Sequence, residues 1–127
     1  MGSLVAKMGQ EWGSTYAATK GANLSFSKAL AIDEARHGVR VNIILPGCIE
    51  NTGAASLPKD LYRLVGSWSW ANRWGSSEEV GHACLFLAGD EAAFITGAEL
   101  VISGGAELGY ASKKHVPKFP DSAGAKE

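Results

Sequence analysis

Residues 38–47 organise the predicted fold, and they read Gly38-Val39-Arg40-Val41-Asn42-Ile43-Ile44-Leu45-Pro46-Gly47. The run from Val39 to Leu45 is mostly apolar and rich in β-branched residues, which is typical of a parallel strand covered on both faces. Pro46 cannot donate to a strand ladder and Gly47 permits a turn, so we expect the strand to end there. The stretch predicts a buried parallel strand and an α/β fold.

A long helix is predicted directly before this strand, from about Ser14 or Thr15 to His37. Its many alanines favour helix and allow a neighbouring element to approach closely. Gly38 can take the left-handed conformation that ends a helix. Residues 4–13 have no apolar period and predict a loop.

A second helix and a second strand are predicted downstream. Ser76-Ser77-Glu78-Glu79 has the form of a capping box, with Ser76 as N-cap and Glu79 three residues later. The helix that it opens ends at Gly89-Asp90, and a strand over Glu99 to Ile102 follows.

The residues with the clearest chemical pattern lie on the long helix. Tyr16 and Lys20 are four positions apart, so phenol and ammonium project from one face. A nearby cation favours phenolate and lowers a tyrosine pKa toward the range in which it exchanges protons. A hydroxyl from Ser3, upstream of the tyrosine, could hold a carbonyl or alcohol oxygen meanwhile. Taken alone, the spacing also fits a half-buried aromatic residue beside a solvated lysine.

Further stretches, in order and spacing, resemble the C-terminal half of a short-chain dehydrogenase/reductase. The resemblance lies in Ser3, Tyr16-Ala17-Ala18-Thr19-Lys20-Gly21-Ala22, Gly38-Val39-Arg40-Val41-Asn42, Pro46-Gly47, Glu79-Val80-Gly81, Phe86-Leu87-Ala88, Ile95-Thr96-Gly97 and Ser103-Gly104-Gly105. It implies the C-terminal part of a doubly wound parallel-sheet (Rossmann-like) domain over residues 1–112, with the N-terminal cofactor half missing. Residues 113–127 are poor in core residues and predict a disordered tail.

The resemblance also implies an activity and roles for the motif. Members of the family interconvert a secondary alcohol and a ketone with NAD or NADP, of which NAD is slightly favoured here. Tyr16 would be the acid/base, Lys20 would lower its pKa and bond the cofactor ribose, and Ser3 would orient the substrate oxygen. The substrate would be a small alcohol or ketone, either steroid-like or sugar-like.

Ligands of open α/β sheets lie at the carboxyl ends of the strands, which directs attention to residues 46–52. By resemblance, Pro46, Gly47 and Ile49 would line the nicotinamide end. The family's threonine position holds Asn51, with Thr52 one place later, and either residue could bond the carboxamide.

A tryptophan-rich segment precedes the capping box. Residues 53–75 would close over substrate in the family, and Trp68 and Trp70 could stack on a flat, apolar substrate. Ordinary packing or interface contacts are an equal alternative for these rings.

A glycine-rich strand–turn–helix that holds a pyrophosphate is not found before Ser3. We therefore expect the isolated chain to bind nicotinamide cofactor very weakly or not at all, and Ser3 to lie on a free N-terminus. A sheet without its neighbours would expose an edge and apolar faces, which favours self-association.

Composition excludes several classes of function. The formal net charge of −1 over 127 residues does not predict binding to nucleic acid or to an anionic membrane. Cys48 and Cys84 form neither a disulfide framework nor a metal-binding spacing, and they predict reduced thiols in a cytoplasmic protein. The three histidines have no ligand partners at metal spacing, so we expect no metal site.

Two alternatives to an enzyme remain open at this point. The chain could be a non-catalytic truncated product that associates with full-length subunits, since family members commonly form homotetramers through this half. It could also be an inert fragment.

Overall fold

The computed structural model describes residues 1–109. Its helices and strands, in chain order, are α1 (Ser14–Ala35), β1 (Ile43–Pro46), α2 (Thr52–Ala55), α3 (Lys59–Gly66), α4 (Ser77–Ala88) and β2 (Glu99–Ile102). Short 3-10 helices occur at Leu4–Ala6 and Asp90–Ala92. The tail predicted to be disordered, residues 113–127, lies outside the described residues.

The two strands form a parallel sheet. Ile43 is opposite Glu99, and the register continues to Pro46 opposite Ile102. Parallel strands require a long crossover, which here contains α2, α3 and α4. The predicted α/β fold with a parallel sheet is confirmed.

Strand β1 is shorter than the sequence suggested. It begins at Ile43, not at Val39, because the preceding residues bond outside the ladder. The N–H of Val41 donates to the Thr96 hydroxyl at 3.1 Å, and the Asn42 side chain bonds backbone groups of residues 95 and 98 at 2.9 and 3.0 Å. Val41 and Asn42 therefore lead into the strand and are held there by hydrogen bonds that involve side chains.

The core is centred on β1, and its predicted burial on both faces is confirmed. Leu45 is 0% exposed, and both Ile43 and Ile44 are also buried. Ile44 clusters with buried apolar residues of α4 and of the Asp90–Ala92 turn. Adjacent side chains of a strand point to opposite faces, so β1 contributes to both layers of packing.

The first residues of the chain pack against β1. The N–H of Gly2 donates to the carbonyl of Ile44 at 2.8 Å. A Cβ on Gly2 would come within 2.5 Å of the Leu45 Cδ2 atom, so this close approach requires glycine. Ser3 is buried, and the expectation that it lies on a free N-terminus is wrong.

The predicted helix ends are close to those observed. Helix α1 ends at Ala35, two residues before the predicted end, and Gly38 has φ +70°, the left-handed conformation expected of it. Helix α4 begins with the predicted capping box. The Ser76 hydroxyl accepts from the Glu79 N–H at 3.1 Å, and the Glu79 carboxylate accepts from the Ser76 N–H at 2.8 Å.

Replacing Ser76 with alanine should lower the free energy of unfolding by about 1 kcal/mol, because an N–H group at the start of α4 loses its acceptor. Urea unfolding followed by circular dichroism measures the change. Ser25→Ala, an exposed position within α1, is the matched control and should not destabilise the protein. A loss of less than about 0.3 kcal/mol for Ser76→Ala would show that the cap contributes little.

Candidate active site

The carboxyl ends of β1 and β2 form the floor of the site. The N–H of Gly47 donates to the carbonyl of Ile102 at 2.9 Å, which carries the pairing one residue beyond β1. A Cβ on Gly47 would be only 3.0 Å from the Ser103 Cα atom, so the two chains approach closely here. Pro46 and Gly47 thus lie at the edge where ligands of open α/β sheets bind.

Ile49 is held beside this edge by a parallel bridge to Gly75. The Gly75 N–H donates to the Cys48 carbonyl at 3.0 Å, and the Glu50 N–H donates to the Gly75 carbonyl at 2.7 Å. These backbone hydrogen bonds give Ile49 a fixed, half-buried position. Burial raises the pKa of the neighbouring Cys48 thiol above its ordinary value.

Asn51 caps the short helix α2. Its Oδ1 atom accepts from the Ala54 N–H at 2.9 Å, and Thr52 is the first residue of the helix. With the side-chain oxygen engaged in this way, the amide N–H groups of Asn51 remain as donors to a ligand.

Tyr16 and Lys20 are brought together on the first turns of α1. The Lys20 ammonium nitrogen lies 5.5 Å from the centroid of the Tyr16 ring, within the range of a cation–π contact. Tyr16 is 47% exposed and can therefore meet a ligand. The pair has the geometry that its spacing predicts.

Ser3 is placed differently. Its hydroxyl accepts from the Val5 N–H at 3.3 Å and caps the Leu4–Ala6 turn. Within residues 1–109, no hydrogen bond joins Ser3 to Tyr16. The serine hydroxyl is the acceptor in its bond to Val5, so its own hydrogen remains available to a further oxygen.

The three tryptophans of the segment before α4 fall into two groups. Trp74 is a packing residue, since its ring stacks on Tyr62 with centroids 5.2 Å apart and its indole N–H donates to the Tyr62 carbonyl at 2.8 Å. Trp68 and Trp70 are each about half exposed, which leaves ring surface for contact with a ligand or a partner.

Sequence reasoning did not single out Trp12. This side chain is 98% exposed and lies four residues before Tyr16, and its backbone has a left-handed φ of 58°. The only sequence signal was a large aromatic residue in a segment without an apolar period, directly before Gly13, which precedes α1.

Arg73 and Glu79 form a two-point ion pair beside the bridge to Ile49. Two guanidinium nitrogens donate to the two carboxylate oxygens at 2.9 and 2.6 Å. The Arg73 bonds, helped by the Ser76 N–H, lower the pKa of Glu79 from 4.5 to about 2. The pair ties the segment before α4 to its first turn.

Residues 1–109 contain no group of three histidine, cysteine, aspartate or glutamate side chains arranged to hold a metal ion. None of the helices in that range has the length and apolarity needed to cross a membrane.

The chain is similar to known oxidoreductases. A family model described as enoyl-(acyl carrier protein) reductase matches residues 1–107. The L-fucose dehydrogenase of Mus musculus is 47% identical over an alignment of 127 positions that covers 93% of this chain and 46% of that protein. The 3-oxoacyl-[acyl-carrier-protein] reductase FabG of Escherichia coli (strain K12) is 40% identical over 105 residues, 83% of this chain and 43% of that protein.

Solved structures agree with these sequence matches. A 4-hydroxyisoleucine dehydrogenase complexed with NADH superposes with a TM-score of 0.79 at 29% identity, over 86% of this chain and 46% of that one. The chain spans about half the length of the curated relatives it matches.

The ion pair predicts a specific pH dependence. Because the folded-state pKa of Glu79 is depressed, its contribution to stability is present above pH 4.5 and is lost as the pH falls toward about 2. The melting temperature of the wild type should therefore fall across this window. The melting temperature of Glu79→Gln should fall less, since glutamine keeps the capping box but not the charge. Thermal unfolding measured at several pH values tests this.

The matched control is Glu78→Gln, at the neighbouring carboxylate, which makes no ion pair among residues 1–109. This variant should keep the wild-type pH dependence. If Glu79→Gln also keeps it, the pair with Arg73 is not coupled to folding.

Proposed function

The chain belongs to the short-chain dehydrogenase/reductase family, and from this we propose that it is the catalytic and substrate-binding part of an NAD(P)-dependent oxidoreductase. The reaction interconverts a secondary alcohol and a ketone. The observation that carries the proposal is the contact of Lys20 with the ring of Tyr16 at an exposed position.

Tyr16 is the proton-transfer residue in this proposal. The phenolate oxygen takes the proton of an alcohol, and the phenol returns it to a ketone oxygen in the reverse direction. The Lys20 ammonium, which lies over the Tyr16 ring, would bond the cofactor ribose. Ser3 would orient the substrate oxygen with the hydroxyl hydrogen that its bond to Val5 leaves available.

The residues at the strand ends fit the nicotinamide end of the cofactor. When bound, the cofactor supplies the hydride donor or acceptor of the reaction. Ile49 offers a fixed apolar contact, Asn51 offers amide N–H groups to a carboxamide carbonyl, and Pro46 and Gly47 line the edge. Thr52 remains the alternative partner of the carboxamide. NAD is favoured slightly over NADP, in keeping with the NADH in the similar dehydrogenase structure.

The substrate class that we propose is a ring-shaped secondary alcohol, either sugar-like or steroid-like. A sugar is supported by the similarity to L-fucose dehydrogenases. A steroid is supported by residues 104–110, which resemble the closing run of type 14 17β-hydroxysteroid dehydrogenase. The half-exposed rings of Trp68 and Trp70 could stack on either. We place the activity in the cytoplasm, where thiols such as Cys48 stay reduced.

Tyr16→Phe tests the assignment. In a chimera that joins this chain to the N-terminal part of a full-length relative, the variant should lower turnover by roughly 10² or more, because the proton acceptor is lost. Thr15→Ala, at an exposed position of the same turn, is the control and should keep its turnover. Steady-state kinetics and circular dichroism separate loss of chemistry from loss of fold, and a Tyr16→Phe enzyme with most of its turnover would contradict the assignment.

A second candidate is a non-catalytic role through association with other copies or with a full-length relative, as a homotetramer-like assembly. It is supported by apolar side chains that α1 leaves in water, with Phe26 64% and Ile32 78% exposed. Exposed apolar surface of this kind favours association.

This candidate predicts that the purified chain sediments as dimers or larger species. Phe26→Ser combined with Ile32→Ser should weaken the association at least tenfold (roughly 1.4 kcal/mol). The control is Leu108→Ser, at an exposed apolar position away from α1. Analytical ultracentrifugation that shows a single monomeric species of the wild-type chain would exclude this role.

A further inference from the structure

A cavity of about 890 Å³ lies between α3, the segment before α4 and Glu50. Neither Tyr16, Lys20 nor Ile49 lines it, so the proposed chemistry does not account for it. The lining side chains that matter for binding are Glu50, Asp60, Tyr62, Arg63, Asn72 and Trp74.

One wall of the cavity is aromatic and fixed. The rings of Tyr62 and Trp74 stack at an interplanar angle of 25°. The Trp74 indole N–H is bonded to the Tyr62 carbonyl, and the Tyr62 hydroxyl donates to a Glu50 carboxylate oxygen at 2.8 Å. A Cβ on Gly66 would be 3.2 Å from Trp74 Cδ1, so the indole also packs closely on α3. A wall held at this many points is preorganised for a flat partner.

The polar groups of the cavity include both donors and acceptors. Arg73 also lines it, but its guanidinium is engaged by both oxygens of Glu79. Glu50 and Asp60 then remain as acceptors, whereas Arg63 and Asn72 are donors. With Arg73 paired, two carboxylates face one guanidinium, and this charge disfavours an anionic ligand. These polar groups are exposed, and a wholly apolar ligand that covered them would leave them unpaired.

We propose that this cavity is a binding site for a neutral monosaccharide. A sugar ring has a C–H face that packs on an aromatic wall, and its hydroxyl groups both donate and accept. Hydroxyls would donate to Glu50 and Asp60 and accept from Arg63 and Asn72. The site is separate from Tyr16, and the proposal does not depend on the oxidoreductase reaction.

Saturation-transfer NMR on the purified chain tests the proposal, with free neutral hexoses and 6-deoxyhexoses as probes. Saturation should reach the ring C–H protons in a saturable, concentration-dependent manner. Arg63→Gln should weaken binding by about tenfold, the loss expected for a hydrogen bond to a charged group. Lys59→Gln is the control, because Lys59 is an exposed residue of the same helix that does not line the cavity.

The method also works on a self-associating chain, because larger particles transfer saturation more efficiently. Tyr16→Phe should leave sugar binding unchanged, which distinguishes this site from the proposed catalytic one. The proposal is overturned if no neutral sugar binds saturably, if Arg63→Gln binds as the wild type does, or if Tyr16→Phe removes binding. Tighter binding of acetate, glycine or methylammonium than of any sugar would also overturn it.

Discussion

The Arg40 guanidinium joins parts of the chain that are far apart in sequence. It donates to the carbonyls of Leu87, Ala88 and Gly89 at 2.7, 3.2 and 3.1 Å, and to that of Ile95 at 3.3 Å. The last carbonyls of a helix have no partner within the helix, so a positive charge there both satisfies and attracts them. One side chain before β1 thereby fixes the end of α4 and the approach to β2.

The site depends on this junction because it fixes the register of β1 against β2. With Ile43 opposite Glu99, the strands also end together, and Gly47 meets Ser103 at the edge where a ligand would bind. The bridge from Ile49 to Gly75 then extends that edge toward α4. The proposed proton transfer requires less of the fold, because Tyr16 and Lys20 are neighbours on one helix.

Half the length of the related proteins is enough to bury β1. Leu45 is inaccessible to solvent within residues 1–109, and the backbone of Gly2 bonds to the middle of the strand. The apolar surface left in water lies instead on the helices, at residues such as Phe26 and Leu85. Strand β1 is therefore covered, whereas the residues of β2 are partly exposed and the helices carry exposed apolar side chains.

The sequence by itself determined the features that depend on neighbours within a few residues. The end of α1 before Gly38, the capping box of Ser76 and Glu79, and the contact of Lys20 with Tyr16 all arise from local spacing. Tertiary structure alone decided where β1 begins, since the hydrogen bonds of residues 40–42 go to residues 87–98. It also decided the burial of Ser3 and the separation of packed Trp74 from the exposed tryptophans. Those outcomes depend on partners distant in sequence, which no local pattern encodes.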